Sequence, residues 1–136
     1  MSSSFRPAPQ KIIDNQVHEP DTIEYMLAHC EGGDIVHAGT YFGDFLPALS
    51  HGCAAGSVIW AFEPNPENYQ CAHMTMLMNN LKNVSLMNAG LGAAPETLQM
   101  KTTDASGLPL GGGSRVLTAD SVLTENMVTV TVDIVT

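Results

Sequence analysis

Glycine and polar residues follow each of three short apolar runs in the first two-thirds of the chain. Gly39 and Gly43 follow the first run, Glu63 follows the second, and Asn88 follows the third. If the runs are parallel strands, these residues meet beyond the carboxyl edge of one sheet, which is where open α/β folds bind ligands. A carboxylate at the end of the second strand can accept hydrogen bonds from both hydroxyls of a ribose. The arrangement therefore predicts a nucleoside site.

The glycine spacing separates two classes of nucleoside ligand. A dinucleotide site uses the pattern G-x-G-x-x-G, in which the second glycine admits a pyrophosphate. Here Tyr41 stands two residues after Gly39 and is too bulky for that approach, and the spacing to Gly43 is G-x-x-x-G. A nicotinamide-binding protein is therefore disfavoured.

The elements that would position these residues alternate between strand and helix. Strands are expected at residues 34–38, 58–62 and 84–87. The second run is continuously apolar, which is typical of a central strand buried on both faces. One connecting helix has Pro47 in its first turn, and the other begins at Pro66 after the cap Asn65 and ends near Asn80. This order predicts an α/β, Rossmann-like, doubly wound parallel sheet.

Two further helix features follow from side-chain spacing. Asp21 and Glu24 form a variant of the N-capping box, and apolar residues continue at helical spacing as far as Gly32. This predicts a short amphipathic helix that is capped by Asp21. In the helix after Asn65, helical spacing predicts a buried stripe, formed by Tyr69, Met74, Leu77 and Leu81.

The sequence changes character after Gly92. Residues 97–101 and 127–135 alternate apolar and polar side chains, which predicts an added β-rich C-terminal segment. Residues 105–114 between them are rich in glycine and proline and are expected to form a mobile loop. We expect residues 1–20 to be a flexible leader and residues 21–136 to form a single domain.

Composition excludes several classes of partner. The chain has 136 residues, with 14 acidic and 5 basic side chains and a formal charge of −9. It therefore lacks the positive charge that drives binding to nucleic acids or anionic membranes. Its three cysteines are expected to be reduced thiols in the cytoplasm. Cysteine and histidine occur close together at 51–53 and 71–73, but neither spacing matches a common zinc site, so we predict no metal.

Three stretches resemble one known family. Residues 35–44 (IVHAGTYFGD), 58–66 (VIWAFEPNP) and 83–91 (NVSLMNAGL) resemble motifs of the FkbM-like family of class I S-adenosylmethionine-dependent methyltransferases. The resemblance covers residues 34–92, and residues 111–135 resemble the family less specifically. It implies an S-adenosylmethionine cofactor and methyl transfer to an oxygen of a small molecule or a sugar.

The resemblance also implies where the cofactor binds. Gly39 and Gly43 would admit its methionine end, and Glu63 would hold its ribose. Asn65, Asn88 and Ala89 would lie near the adenine. The remaining cofactor-binding residues that the motifs imply are His37, Tyr41 and Pro64. No residue is predicted to be catalytic.

The chain departs from the family pattern in two places. His37 stands where the family has an acidic residue, and the sequence stops at Thr136, before the later strands of the family's sheet. We therefore expect a domain that is incomplete at its C-terminus and inactive as this short chain. Its first strand would have an unpaired edge. We expect residues 127–135, or a second copy of the chain in a homodimer, to cover that edge.

A second function remains open. The same fold could be a non-catalytic Rossmann-like interaction or oligomerisation module, in which His37 marks the loss of cofactor binding. Substitution of Glu63 distinguishes the two functions, because it should weaken cofactor binding but leave assembly unchanged.

Overall fold

The computed structural model describes residues 6–136, which form two sheets and four α-helices. The first sheet is parallel and has the order β1 (Ile35–Ala38), β2 (Ile59–Phe62), β3 (Val84–Met87). The helices are α1 (Pro7–Ile13), α2 (Pro20–His29), α3 (Leu46–Gly52) and α4 (Pro66–Met78). The predicted strand–helix–strand–helix–strand order and the central position of β2 are thus confirmed.

Local signals explain where α3 and α4 begin. Pro47 lies in the first turn of α3, where its missing N–H removes no helical hydrogen bond. Asn65 caps α4, because its Oδ1 accepts hydrogen bonds from the backbone N–H of Glu67 at 3.0 Å and of Asn68 at 3.5 Å. These two predicted helix starts are confirmed.

The N-capping prediction for α2 was wrong. The helix begins at Pro20, which follows Glu19 in a left-handed conformation with φ 49°, and no side chain caps it. Asp21 lies inside the first turn instead. Proline favours the first helical position because its φ is already helical, so it sets the start two residues earlier than the capping pattern indicated. Helix α1 lies within the predicted leader, where no element was expected.

The predicted buried stripe of α4 was wrong at Met74 and Leu77, whereas Leu81, just after the helix, is buried in the core as predicted. Met74 and Leu77 are 54% and 62% exposed, whereas the buried residues of the helix are Asn68 and Ala72. A Cβ atom at Gly43 would lie 3.2 Å from the Ala72 Cα. The glycine turn therefore packs closely on α4 through a small residue, while Met74 and Leu77 remain exposed.

Helices α2, α3 and α4 contribute to one apolar core with β1 and β2. Its members include Ile23, Leu49 and Ile59, and Met76 of α4 packs against it. The opposite face of the sheet exposes Val36, Trp60 and Met87, at 59%, 38% and 37%. The expectation that β2 is buried on both faces was therefore wrong at Trp60. A doubly wound sheet has helices on both faces, whereas the core helices α2, α3 and α4 pack against one face. The structure therefore shows a mixed α/β fold with a parallel three-stranded sheet, and the doubly wound arrangement stays a prediction.

The second sheet has the order β4-β7-β5-β6. These strands are β4 (Gly90–Leu91), β5 (Glu96–Lys101), β6 (Arg115–Val116) and β7 (Thr129–Val135). β7 pairs antiparallel with β5 over six residue pairs, and Val132 and Ile134 form a small core with Met100. The predicted β-rich segment is confirmed.

β7 does not cover the edge of β1. It pairs with β5 and, in parallel, with β4. The alternating segment of β7 is long enough to pair with all six residues of β5, whereas β1 has only four residues available for pairing. The expectation that residues 127–135 fold back on β1 was therefore wrong. Within residues 6–136, no helix is both long and apolar enough to cross a bilayer.

Candidate functional site

The ends of β1 and β2 meet through direct hydrogen bonds. Glu63 follows β2, and its Oε2 accepts from the Tyr41 backbone N–H at 2.7 Å while its Oε1 accepts from the Asn65 N–H at 2.9 Å. The backbone N–H groups of Gly39 and Thr40 donate to the Phe62 carbonyl at 2.8 and 3.0 Å. The structure therefore brings the predicted glycine turn and the predicted carboxylate to one sheet edge.

The Glu63 carboxylate is buried, with 5% of the residue exposed. Burial raises its pKa, and the N–H groups of Asn65 and Tyr41 partly offset this because they stabilise the ionised form. A buried carboxylate held by backbone donors has a fixed position, so it is suited to orienting a ligand hydroxyl.

The two glycines of the turn have different roles. Gly39 has φ +73°, and a Cβ atom there would meet nothing within 4 Å, so open space lies at the end of β1. A Cβ atom at Gly43 would lie 3.0 Å from the Leu46 Cδ1. Gly43 is therefore required for packing on the helices. Of the two glycines, Gly39 is the one that borders open space, and the prediction that Gly43 admits a ligand stays a prediction.

Residues 111–114, which we call the glycine cover, lie against Glu63 and its neighbours. The Asn68 Nδ2 donates to the Gly111 carbonyl at 3.2 Å and to the Glu63 Oε1 at 3.4 Å. The Asn65 Nδ2 donates to the Ser114 Oγ at 3.0 Å. These contacts hold a segment that the sequence predicted to be mobile.

Tyr41 completes this contact. A Cβ atom at Gly111 would lie 2.5 Å from the Tyr41 Oη, and one at Gly112 would lie 3.3 Å from the Tyr41 Cδ1. The ring therefore packs directly on the glycine cover. The triple glycine is the sequence signal for such a close approach, but nothing in the sequence indicates that Tyr41 is the partner.

Two of the predicted adenine-side residues, Asn65 and Asn88, bond Glu63 directly. The Asn88 Nδ2 donates to the carbonyls of Glu63 and Pro64 at 2.7 and 3.2 Å. Its amide therefore ties the end of β3 to the end of β2. Ala89 is buried at 6% exposure. Asn65 serves as the helix cap and as a donor to the glycine cover, so its side chain is already engaged.

His37 borders a cavity of about 270 Å³ at the end of β1, which we call the β1 cavity. Its Nδ1 lies 2.7 Å from the Thr40 Oγ1, and its ring stacks on Phe45 at a centroid distance of 5.3 Å. Burial lowers the His37 pKa, so the imidazole is neutral at pH 7. Gly39, Tyr41 and Asp44 also line the cavity. Asp44 is the last residue of the motif at 35–44, but the sequence analysis assigned it no role.

A larger groove of about 620 Å³ lies between α1 and α4, away from this edge. Its walls are mainly apolar and include Ile12, Ile13, Met74 and Met78. Volume alone does not make it the functional site, because the hydrogen-bonded carboxylate and the glycine turn lie elsewhere. Within residues 6–136 no three potential ligands cluster as they would around a metal ion.

Comparisons with known proteins give little further information. No family model and no curated protein matches the chain. Among solved structures, a "putative rRNA-methylase" from Clostridium thermocellum matches with a TM-score of 0.47 and 18% identity over 52% of this chain. The match covers 39% of that protein. A likeness of this size assigns neither a family nor a function.

Proposed function

We propose that the chain binds S-adenosylmethionine at the carboxyl edge of the parallel sheet, as an FkbM-like class I methyltransferase domain. The observation that supports this most is the position of Glu63, bonded to the glycine turn at Tyr41 beside the open space at Gly39. The bound cofactor would supply a sulfonium methyl group. The acceptor would be an oxygen of a small molecule or a sugar in the cytoplasm.

The residues present fit the cofactor if the glycine cover moves. A carboxylate has about four acceptor positions, and three donors already reach Glu63, from Tyr41, Asn65 and Asn68. The Asn68 contact is the longest, at 3.4 Å, and the same amide also bonds Gly111. We propose that the ribose hydroxyls replace this amide and that the glycine cover is displaced when they do.

This chain would contribute binding and positioning. Methyl transfer to an oxygen requires alignment of the reacting groups and removal of the hydroxyl proton. His37 and Asp44 border the β1 cavity, but neither is assigned as a base.

Calorimetric titration with S-adenosylmethionine and S-adenosylhomocysteine tests the proposal, with NAD as the control ligand. We expect saturable binding of the two sulfur ligands only. Glu63→Ala should remove ribose hydrogen bonds worth about 1.5–3 kcal/mol, which weakens binding by about 10- to 150-fold. Glu96→Ala is the matched control, because Glu96 is exposed in the second sheet. Equal affinities of the two variants would contradict the role of Glu63.

One observation favours an interaction module as the second candidate, with a second copy of this chain as the partner. The N–H groups of Ile35 and Gly39 bond β2, so by strand alternation those of Val36 and Ala38 face away from it. Strand β1 contains no lysine or proline that would block pairing. Two such edges can pair antiparallel across a twofold axis.

Sedimentation analysis over a range of concentrations tests this candidate. Val36→Pro removes an N–H that faces the free edge, so it should abolish the dimer without breaking the β1–β2 ladder. Val122→Pro is the control, since Val122 is 77% exposed outside the strands. A monomer at all concentrations would exclude the homodimer.

A further inference from the structure

Two basic side chains line a cavity of about 390 Å³ on the second sheet, and none of its lining residues belongs to the Glu63 site. They are Lys101, at the end of β5, and Arg115, at the start of β6. The two residues are direct partners in the antiparallel β5–β6 pair, and they are two of only five basic residues in a chain with a formal charge of −9. Like charges directly opposite each other in a sheet are destabilising, so this arrangement costs stability in the free protein.

The Lys101 side chain is buried without a partner. Only 9% of the residue is exposed, and lysine is rarely buried this far unless it is paired. Across the described residues, 6–136, no carboxylate forms an ion pair with Lys101 and its Nζ takes part in no hydrogen bond. Its neighbour on the other side, Thr129 of β7, is uncharged. Since a buried ammonium without a partner is costly, the position favours an anion in the cavity.

The segment that follows β6 adds hydroxyl groups to the cavity wall. The Leu117 N–H donates to the Gln99 carbonyl at 2.8 Å, which holds the segment on β5. The Thr118 N–H donates to the Ser121 Oγ at 2.8 Å, and the hydroxyl oxygens of these two residues lie 3.3 Å apart. Only one hydroxyl proton can lie between them, so the other is available to a ligand. Asp120 also lines the cavity, but it is exposed, so salt screens its charge.

These donors suit a phosphate group better than a carboxylate. A phosphate monoester carries a charge of about −1.5 to −2 at pH 7 and has three strong acceptor oxygens. The planar guanidinium of Arg115 can bind two of these oxygens side by side, and the Lys101 ammonium can approach the third as a point charge. A carboxylate carries a single charge, which would balance only one of the two bases.

We propose that this cavity binds the phosphate group of a small phosphate monoester between Lys101 and Arg115. Leu117 and Val122 also line the cavity and offer apolar contact to the organic part of such a molecule. The site lies on the second sheet, so the inference goes beyond the proposed cofactor function and does not rest on it.

Titration calorimetry in a phosphate-free buffer tests the site, with phenyl phosphate as the probe and benzoate as the matched carboxylate. We expect saturable binding of phenyl phosphate and about tenfold weaker binding of benzoate. Lys101→Met keeps an apolar stem and removes the charge, and Arg115→Gln removes the guanidinium. Each should weaken phenyl phosphate binding by about tenfold or more. Lys82→Met is the matched control, because it removes one positive charge at an exposed position in the turn before β3, and it should bind like the wild type.

Urea denaturation gives a second readout, which a purely structural lysine would not share. Without ligand, Lys101→Met should be at least as stable as the wild type, because methionine fills similar space without burying a charge. Phenyl phosphate should raise the urea midpoint of the wild type and of Lys82→Met, because a ligand stabilises the folded state that binds it. It should not raise the midpoint of Lys101→Met.

Several results would overturn the proposal. They are the absence of saturable phenyl phosphate binding, equal binding of benzoate, and an unchanged affinity in Lys101→Met. An equal loss of affinity in Lys82→Met would also overturn it, since net charge would then explain the effect. A Lys101→Met chain that is less stable than the wild type, or that does not fold, would show that the ammonium already has a partner in the free protein, which is equally incompatible with the proposal.

Discussion

The contact between Tyr41 and Gly111 should be one of the most sensitive points of the molecule, and Gly111→Ala tests it. This glycine has φ +56°, and an added Cβ atom would lie 2.5 Å from the Tyr41 Oη and 2.9 Å from its Cζ. Since these positions are on a ring packed against the glycine cover, the ring has to move. The substitution therefore combines a backbone cost with a steric one.

The two costs can be estimated separately. An L-residue in the left-handed conformation costs about 1–2 kcal/mol. Forcing an extra methyl group into a packed contact costs about 1–3 kcal/mol. We expect Gly111→Ala to lower the free energy of unfolding by about 2–5 kcal/mol.

Urea denaturation measures this loss, with the fluorescence of the single tryptophan, Trp60, and far-UV circular dichroism as probes. Gly56→Ala is the matched control, because Gly56 also has a positive φ, +93°, but its added Cβ atom would meet nothing within 4 Å. In a double-mutant cycle, Tyr41→Ala should recover the steric part of about 1–3 kcal/mol. Additive losses at positions 41 and 111 would refute the reasoning.

Three other perturbations have defined outcomes. Leu49→Ala should lower the free energy of unfolding by about 3 kcal/mol because Leu49 is fully buried. Leu77→Ala, at a position 62% exposed, should change the free energy of unfolding by less than about 0.5 kcal/mol. Equal losses in urea titrations would contradict the core assignment. Because burial raises the pKa of Asp44, the folded state holds the Asp44 proton to higher pH than the unfolded state. The wild-type chain should therefore lose stability relative to Asp44→Asn as pH rises through that pKa. A pH series of urea titrations in which the difference in free energy of unfolding between the two proteins stays constant would exclude this. If ligand binding displaces the glycine cover, S-adenosylhomocysteine should accelerate tryptic cleavage after Arg115, which adjoins the cover, but not after Lys82, which is exposed in the turn before β3.

Local signals in the sequence were sufficient for the elements that lead to the site. Asn65 and Pro66 define the start of α4 because a cap and a proline act within one helical turn. Strands β1, β2 and β3 were recognisable because each contains a short run of apolar residues that are consecutive in the sequence. The position of Glu63 at the end of β2, beside the turn that follows β1, then followed from the topology of a parallel sheet.

Side-chain burial on α4 depended on tertiary packing. Helical spacing shows which residues share a face, but not which face the protein covers. Ala72 packs under Gly43 because the glycine turn approaches the helix closely, and Met74 and Leu77 are left exposed. No spacing within α4 contains that information.

The pairing of strands and the walls of the site were likewise decided by contacts between distant residues. β7 pairs with β4 and β5, whereas the sequence analysis expected it at the free edge of β1. Gly111 meets Tyr41, and Asp44 reaches the same cavity as His37. The sequence by itself determined the elements and the carboxylate at the sheet edge, because these depend on short-range propensity and order. Only the tertiary structure decided what covers that carboxylate and which charge lies beside it, because both depend on which distant segments come into contact.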